Sequence, residues 1–333
     1  LSLALAAIML IGMMVVSASA ASYNDLTDKD QIVNKDAVSM LVSLGIIEGK
    51  PDGSYGPTEN VDRAQMAKML SVIMNKGVDN SALYQSVNSG LVDVNTNWAK
   101  GHINYCYTTG IIAGRGNGKF DPSATVTALE AAKMLLVAVG YDPAIEGFEG
   151  ADWAINVSVR ADEQGIFEGF TKDLSAPLNR DDAALLIYNA LDVEMIQSYT
   201  TNNYPIVYSD HRTILSDKYG VIKVEGVVTA NEWAILDDDT DTALQEGKTR
   251  IYNPDGILST TGNTAVAQDS SANVKTQVFN VSTPVDMLGK AVTMYVKKTT
   301  ILADSTVYGA PVVSDVNTVI ETGVKVTGGE IGR

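Results

Sequence analysis

Apolar residues recur at helical spacing over six stretches of the first two hundred residues, and the stretches come in pairs. In the first pair the run from Asp30 to Leu44 puts Val33, Ala37, Leu41 and Leu44 on one stripe, and Gly45 stands where a left-handed C-cap is wanted. Lys50-Pro51-Asp52-Gly53-Ser54-Tyr55-Gly56-Pro57 then supplies a tight turn, and Asp62-Arg63-Ala64-Gln65 opens a second helix carrying Met66, Met69, Leu70 and Ile73. The second pair runs from Trp98 to Thr109, turns at Asn117-Gly118-Lys119-Phe120-Asp121-Pro122 and reopens at Thr127-Ala128-Leu129-Glu130. The third runs from Trp153 to Gln164, and Asn179-Arg180-Asp181-Asp182 opens its second helix through Leu191. Each first helix stops at a similar motif: Gly45-Ile46-Ile47-Glu48-Gly49, Gly110-Ile111-Ile112-Ala113-Gly114 and Gly165-Ile166-Phe167-Glu168-Gly169. From stop to second-helix cap the spacing is 17 residues twice (45 to 62, 110 to 127) and 14 once (165 to 179), so the third copy has lost part of its turn. A two-helix unit cannot cover its own apolar face, so the copies must stack on one another. That organisation points to a binding module before an enzyme.

Beyond about Thr200 the period changes from helical to alternating. Gly220 to Thr229, Ala291 to Lys297 and Val319 to Val326 read as strands, Asn253-Pro254-Asp255-Gly256 as a turn, and Pro284 to Gly289 as a short helical turn. Ser259 to Ala272, rich in Thr, Ser, Asn and Ala, reads as a long surface loop. At the other end Leu3 to Val16 is almost continuously apolar and runs into Ser17-Ala18-Ser19-Ala20-Ala21. This reads as the apolar core and small-residue cleavage site of a signal peptide, too short for a transmembrane helix, with cleavage after Ala20. A chain that opens inside such a leader and stops in a Gly-rich stretch at Arg333 is expected to be a fragment of a longer reading frame.

With 333 residues, 45% of them hydrophobic, the chain can bury a sizeable core in two or three domains. Forty acidic against 24 basic residues give a net charge of −16, which argues against nucleic acid or an anionic membrane as a general partner. The single cysteine, Cys106, reads as core, so an exported protein is here built without disulfides, as suits a bacterial cell surface.

The repeated residues resemble the S-layer homology family, whose members carry about three tandem helix–loop–helix units. The shared features are an aromatic and Asp near the start, a Trp at the first helix, G-I-I-x-G, a D-G-x-F-x-P turn and a T-R-A-E-like opening of the second helix. The resemblance covers roughly Ser22 to Ile196. It implies a multi-domain protein: a signal peptide at 1–20, an all-α pseudo-threefold bundle of repeats at 22–78, 88–141 and 142–196, and a truncated β-rich domain at 204–333. It further implies a secreted, non-catalytic protein, without cofactor or metal, that is held non-covalently in the cell wall or S-layer. Its partner would be a pyruvylated secondary cell-wall polysaccharide linked to peptidoglycan, gripped in grooves between repeats. Self-association in a surface layer is a further expectation; nucleic acid, or a membrane after leader cleavage, is not. Two rivals share the anchor: a surface enzyme such as a polysaccharide hydrolase with its catalytic domain elsewhere, and a self-assembling S-layer subunit.

Carried onto this chain, the T-R-A-E position assigns Asp62, Arg63 and Gln65, then Thr127 and Glu130, then Asn179, Arg180 and Asp182 as glycan-binding candidates. A capping box accounts for the first and fourth residues of each tetrad. It does not account for Arg63 and Arg180, cations set at the positive end of a helix dipole. A guanidinium suits a ketal carboxylate because its planar fork binds bidentately and stays charged. Partly exposed arginines here are expected to add about 0.5 kcal/mol to folding. The second copy has Ala128 instead, which puts the groove built on the second repeat in doubt unless Arg115 or Lys119 compensates. Trp98 and Trp153 stand at equivalent places, 55 residues apart; each can pack between repeats or stack on a sugar. Asp237-Asp238-Asp239-Thr240-Asp241 reads as a solvated acidic turn, since Thr242 and Lys248 break the EF-hand pattern. His102 and His211 have no zinc-binding spacing, and neither a nucleophile elbow nor a phosphate loop is present.

Overall fold

The computed structural model describes residues 23–236, 243–254, 256–257, 275–297 and 305–314. The expected leader, the acidic run at 237–241, the loop at 259–272 and the strand at 319–326 lie outside the described residues. The chain divides into two compact units between Tyr219 and Gly220.

The first unit holds three pairs of helices: α1 (Lys35–Ser43) with α2 (Arg63–Met74), α3 (Lys100–Thr108) with α4 (Ala128–Val139), and α5 (Trp153–Glu163) with α6 (Arg180–Leu191). All three first helices end the same way. Gly45, Gly110 and Gly165 have φ of +70°, +78° and +70°. The next N–H, from Ile46, Ile111 or Ile166, reaches back to the carbonyl of Leu41, Cys106 or Ala161. This closure satisfies carbonyls the helix end would otherwise orphan, and it turns the isoleucines inward, where all three are buried.

The pairs interlock cyclically. α2 packs on α3, α4 on α5 and α6 on α1, while α4 touches both α2 and α6. Just before each second helix the backbones bond in a closed circuit: Val126 N–H donates to Val61 O (2.9 Å), Val61 N–H to Leu178 O (2.8 Å), and Leu178 N–H to Val126 O (2.7 Å). The bridges Asp62–Thr125, Thr127–Pro177 and Asn179–Asn60 repeat that order.

α1 is shorter than the apolar stripe suggests. Lys29–Gln31 forms a separate 3-10 turn, and Val33 is 82% exposed rather than part of the packed stripe. The cause lies far along the chain: the Asp181 carboxylate accepts from the N–H groups of Val33 (3.3 Å) and Asn34 (3.2 Å), holding that backbone outside the helix. Similarly α3 opens at Lys100, because Asn97 Oδ1 accepts from Ala99 N–H (2.8 Å) and makes the Trp98 segment a turn. After α6 a hairpin, β1 (Ile196–Tyr199) with β2 (Pro205–Val207), begins inside the span assigned to the third repeat. It is tied back onto that pair, since Tyr199 Oη donates to Glu146 Oε1 (3.0 Å) and accepts from Asp142 N–H (2.9 Å).

The second unit is a five-stranded antiparallel sheet in the order β5-β4-β3-β6-β7, with β3 (Val221–Asn231) central, β4 (Thr249–Tyr252), β5 (Thr276–Phe279), β6 (Ala291–Lys297) and β7 (Val307–Val313). Alternation along β3 and β6 sends Ile222, Val224, Val228, Val292, Met294 and Val296 into one core with Ile251 and Phe279. The short helical turn expected before β6 is the 3-10 turn Val285–Met287.

Candidate functional site

The second-helix openings lie on the backbone circuit, and each is a cap. Asp62 accepts from Gln65 N–H (2.7 Å) while Gln65 Oε1 accepts from Asp62 N–H (3.1 Å). Thr127 and Glu130 do the same at 3.2 Å in both directions, and Asn179 Oδ1 accepts from Asp182 N–H (2.8 Å). Two further aspartates brace the turns: Asp28 accepts from Tyr55 and Gly56 N–H, and Asp93 from Phe120 and Asp121 N–H.

Arg63 departs from expectation. It is 5% exposed, not a surface side chain, and has no acidic partner within salt-bridge distance among the described residues. Its Nε donates to Phe120 O (2.8 Å), its Nη2 to Ala113 O (2.9 Å), and its plane lies over the Phe120 ring at 4.4 Å. Burial, with Arg115 nearby, pulls its pKa down to about 10, so it remains charged at neutral pH. Its removal therefore costs stability, unlike that of a surface arginine.

Arg63 lies in the wall of a groove of about 540 Å³ between the pairs, shared with Arg115, Glu130, Lys133, Met134, Phe148 and Trp153. Lys133 Nζ donates to Phe148 O and sits 5.7 Å from the Trp153 ring centre. Arg115 pairs with Glu130 at 2.8 Å, leaving Arg63 and Lys133 as cations without an ion-pair partner among the described residues. Of the candidates, Arg63, Glu130 and Trp153 come together here; Lys133 was missed. A lysine six residues past the cap in both of the first two pairs, Lys68 and Lys133, was the available signal.

Arg180 repeats the geometry one step round. Its Nε donates to Tyr55 O (2.8 Å), its Nη2 to Glu48 O (3.3 Å), and it stacks 4.7 Å above the Tyr55 ring. The in-register counterparts of Arg115, Lys133 and Trp153 are Lys50, Lys68 and Trp98. Here the lysines are partnered, Lys50 by Glu59 and Lys68 by Glu48 at 3.9 Å. Trp98 is 58% exposed, which removes it from the core and leaves its face open.

The missing arginine falls elsewhere than expected. Arg63 reaches the second stop at Ala113 and Arg180 the first at Glu48, so the same step from Ala128 leads to the third stop, at Glu168. Backbone bonds follow that order: Ala64 N–H donates to Pro122 O, Asp181 N–H to Pro57 O and Leu129 N–H to Leu174 O. The groove floored by the second stop is thus well equipped. The third position has Ala128, Phe170 and Leu185 where the others have cations. Lys119 does not line the described groove; Asp182 pairs with Lys172.

Cys106 is fully buried and burial pushes its thiol up, as a packing residue requires. No helix among the described residues is long and apolar enough to cross a membrane.

Comparison with known sequences finds matches within the helical unit. Residues 22–67 and 92–132 match the S-layer homology domain, which takes in the first two helix pairs as far as the early turns of α2 and α4. A cell surface protein of Thermoanaerobacter kivui is 29% identical over 72% of this chain, and an S-layer protein of Bacillus licheniformis 33% identical over 34%. An amylopullulanase of Thermoanaerobacterium thermosulfurigenes is 30% identical over 51%. The chain spans 29%, 12% and 10% of the length of those three relatives. The domain matches and these relatives indicate a cell-wall or cell-surface protein.

Proposed function

We propose that the three helix pairs are three S-layer homology repeats forming one pseudo-threefold unit, and that this unit anchors the protein non-covalently to a pyruvylated secondary cell-wall polysaccharide. The backbone circuit through Val61, Val126 and Leu178 supports the threefold reading. The observation that carries the binding reading is the groove at Arg63, Lys133 and Trp153, which gathers three cations, with Arg115, beside an indole face and two glutamates, Glu130 and Glu149, in a chain of net charge −16. Two donors of Arg63 are fixed on carbonyls, so the guanidinium is already oriented and little rotamer freedom remains to be lost on meeting a carboxylate. Trp153 offers a flat apolar face to a sugar ring. The Arg180 groove is a second, weaker site because Glu48 and Glu59 compete for its lysines. The third position, where Ala128, Phe170 and Leu185 replace the cations and Lys172 is paired with Asp182, takes no part. Purified protein should sediment with sacculi that retain their anionic glycan, and Lys133→Ala or Trp153→Ala should reduce retention with a smaller loss of Tm than Arg63→Ala. Equal sedimentation with sacculi stripped of that glycan would overturn the assignment.

A second reading rests on the amylopullulanase relative: the same kind of segment stands in an enzyme, so this chain could serve as the anchor of one. Catalysis is not assigned to the described residues.

A further inference from the structure

The interface of α2 with α3 contains a histidine that neither capping nor groove formation uses. His102 is 3% exposed, and its Nδ1 lies 2.6 Å from Ser71 Oγ on α2. Ser71 Oγ also donates to Lys68 O at 2.9 Å, one turn back on its own helix. A hydroxyl has one proton. With that proton on Lys68 O the neutral ring carries its own on Nδ1; with it turned onto Nδ1 the ring carries its own on Nε2. Nε2 lies 3.6 Å from the Asp79 carboxylate. In either tautomer the neutral ring meets Asp79 without a charge of its own. A second proton turns the same contact into an ion pair without moving the ring.

We propose that His102 is a proton-operated clamp: on protonation it ties the segment after α2, through Asp79, to the first turn of α3, and adds a positive charge beside the Trp98 groove, tightening its hold on an anionic wall glycan. This rests on the anchoring function proposed above. The Trp98 ring stands edge-on to His102 with centroids 6.3 Å apart. Lys68, whose carbonyl receives Ser71, belongs to the same groove set and pairs with Glu48, which Arg180 also contacts through its carbonyl. The charged groups bearing on the ring are Asp79, which favours the proton, and Lys68, which opposes it. Burial acts in the same direction as Lys68 and outweighs Asp79, so the clamp closes at a pH below the ordinary histidine midpoint. By linkage, a bound anionic glycan raises that midpoint.

The test uses the full chain, which has only two histidines. Retention on sacculi carrying their native anionic glycan is measured at about pH 7.5 and 5.5 for the parent and His102→Gln. A charge gained at this distance near the surface should make the parent's increase on acidification roughly three- to tenfold larger than the variant's. Histidine ring NMR should show one resonance, lost in His102→Gln, that titrates below the ordinary histidine midpoint. Asp79→Asn, on an exposed side chain, should lower that midpoint and shrink the binding increase, which keeps the test open if His102→Gln does not fold. Equal pH dependence in parent and variants, or a His102 ring that stays neutral down to about pH 4, would overturn the clamp alone. Failure of the parent to bind at either pH would overturn the anchoring function, and the regulation with it.

Discussion

Arg63 shows how one side chain serves two roles that conflict on mutation. Its fork binds carbonyls on the neighbouring pair, so Arg63→Ala leaves Phe120 O and Ala113 O without a donor and opens a space beside the Phe120 ring. A loss of about 2–4 kcal/mol is expected, read as a lower Cm in denaturant at unchanged m. Arg63→Lys keeps the charge but lacks the fork, and should recover less than half of that. Binding assays on Arg63 variants therefore need the stability measurement beside them, and Lys133 and Trp153 are the cleaner probes. Asp28 and Asp93 carry a pH signature. Burial would raise each carboxyl, but two backbone N–H donors apiece outweigh it and hold both below the usual range. A depressed folded-state pKa means that this stabilisation is complete above the unfolded value, about 3.9, and is lost as pH falls through the folded one. Asp93→Asn should cost about 1–2 kcal/mol at pH 7 and nothing in strong acid, so melting curves of variant and parent should converge as pH drops. The spacing carried a clue to these two residues: they stand 65 apart (28 to 93), as the first two glycine stops do (45 to 110).

At the level of elements, two glycines carry different constraints. Gly110 ends α3 at φ +78° with open space around its Cα, so Gly110→Ala should cost about 1 kcal/mol, all of it conformational. Gly226, inside β3, needs no left-handed backbone. A Cβ there would lie 2.5 Å from Tyr252 O and 2.7 Å from the Ile251 side chain, so Gly226→Ala must displace β4. The loss should be larger than at Gly110, and hydrogen exchange should locate it in β3 and β4. Helix ends and caps were legible because their determinants are local: a glycine after the last turn, an Asp, Thr or Asn before the first. The start of α1 was not, because Asp181 sets it from 148 residues away. The burial of Arg63 was hidden for a related reason, since its partners lie 50 and 57 residues further on, in another pair. What periodicity can report is which face of a helix is apolar. It cannot report which neighbour covers that face, and the groove is made by that choice.

On the scale of the whole helical unit, first and last pairs are neighbours. Asp181 on α6 holds the chain before α1 through Val33 and Asn34, a contact no linear order suggests. Asp181→Ala should cost about 2 kcal/mol and let limited proteolysis begin ahead of α1. In the parent, cleavage should begin at the exposed Thr201–Tyr204 turn of the hairpin and only later between pairs. Early release of a stable single pair would contradict a cooperative unit. The circuit of three backbone bonds also bears on ancestry. An open stack has two ends, and tandem duplication can lengthen it by one unit without disturbing those already there. A closed round has none: a fourth copy would have to break one of its three joints, and a deletion would leave two unlike surfaces facing a gap. Gene duplications in such a lineage are therefore expected to add or remove whole sets of three, while divergence within a set falls where no joint is broken, as in the shortened third turn and at Ala128, which stands where the other two copies have an arginine.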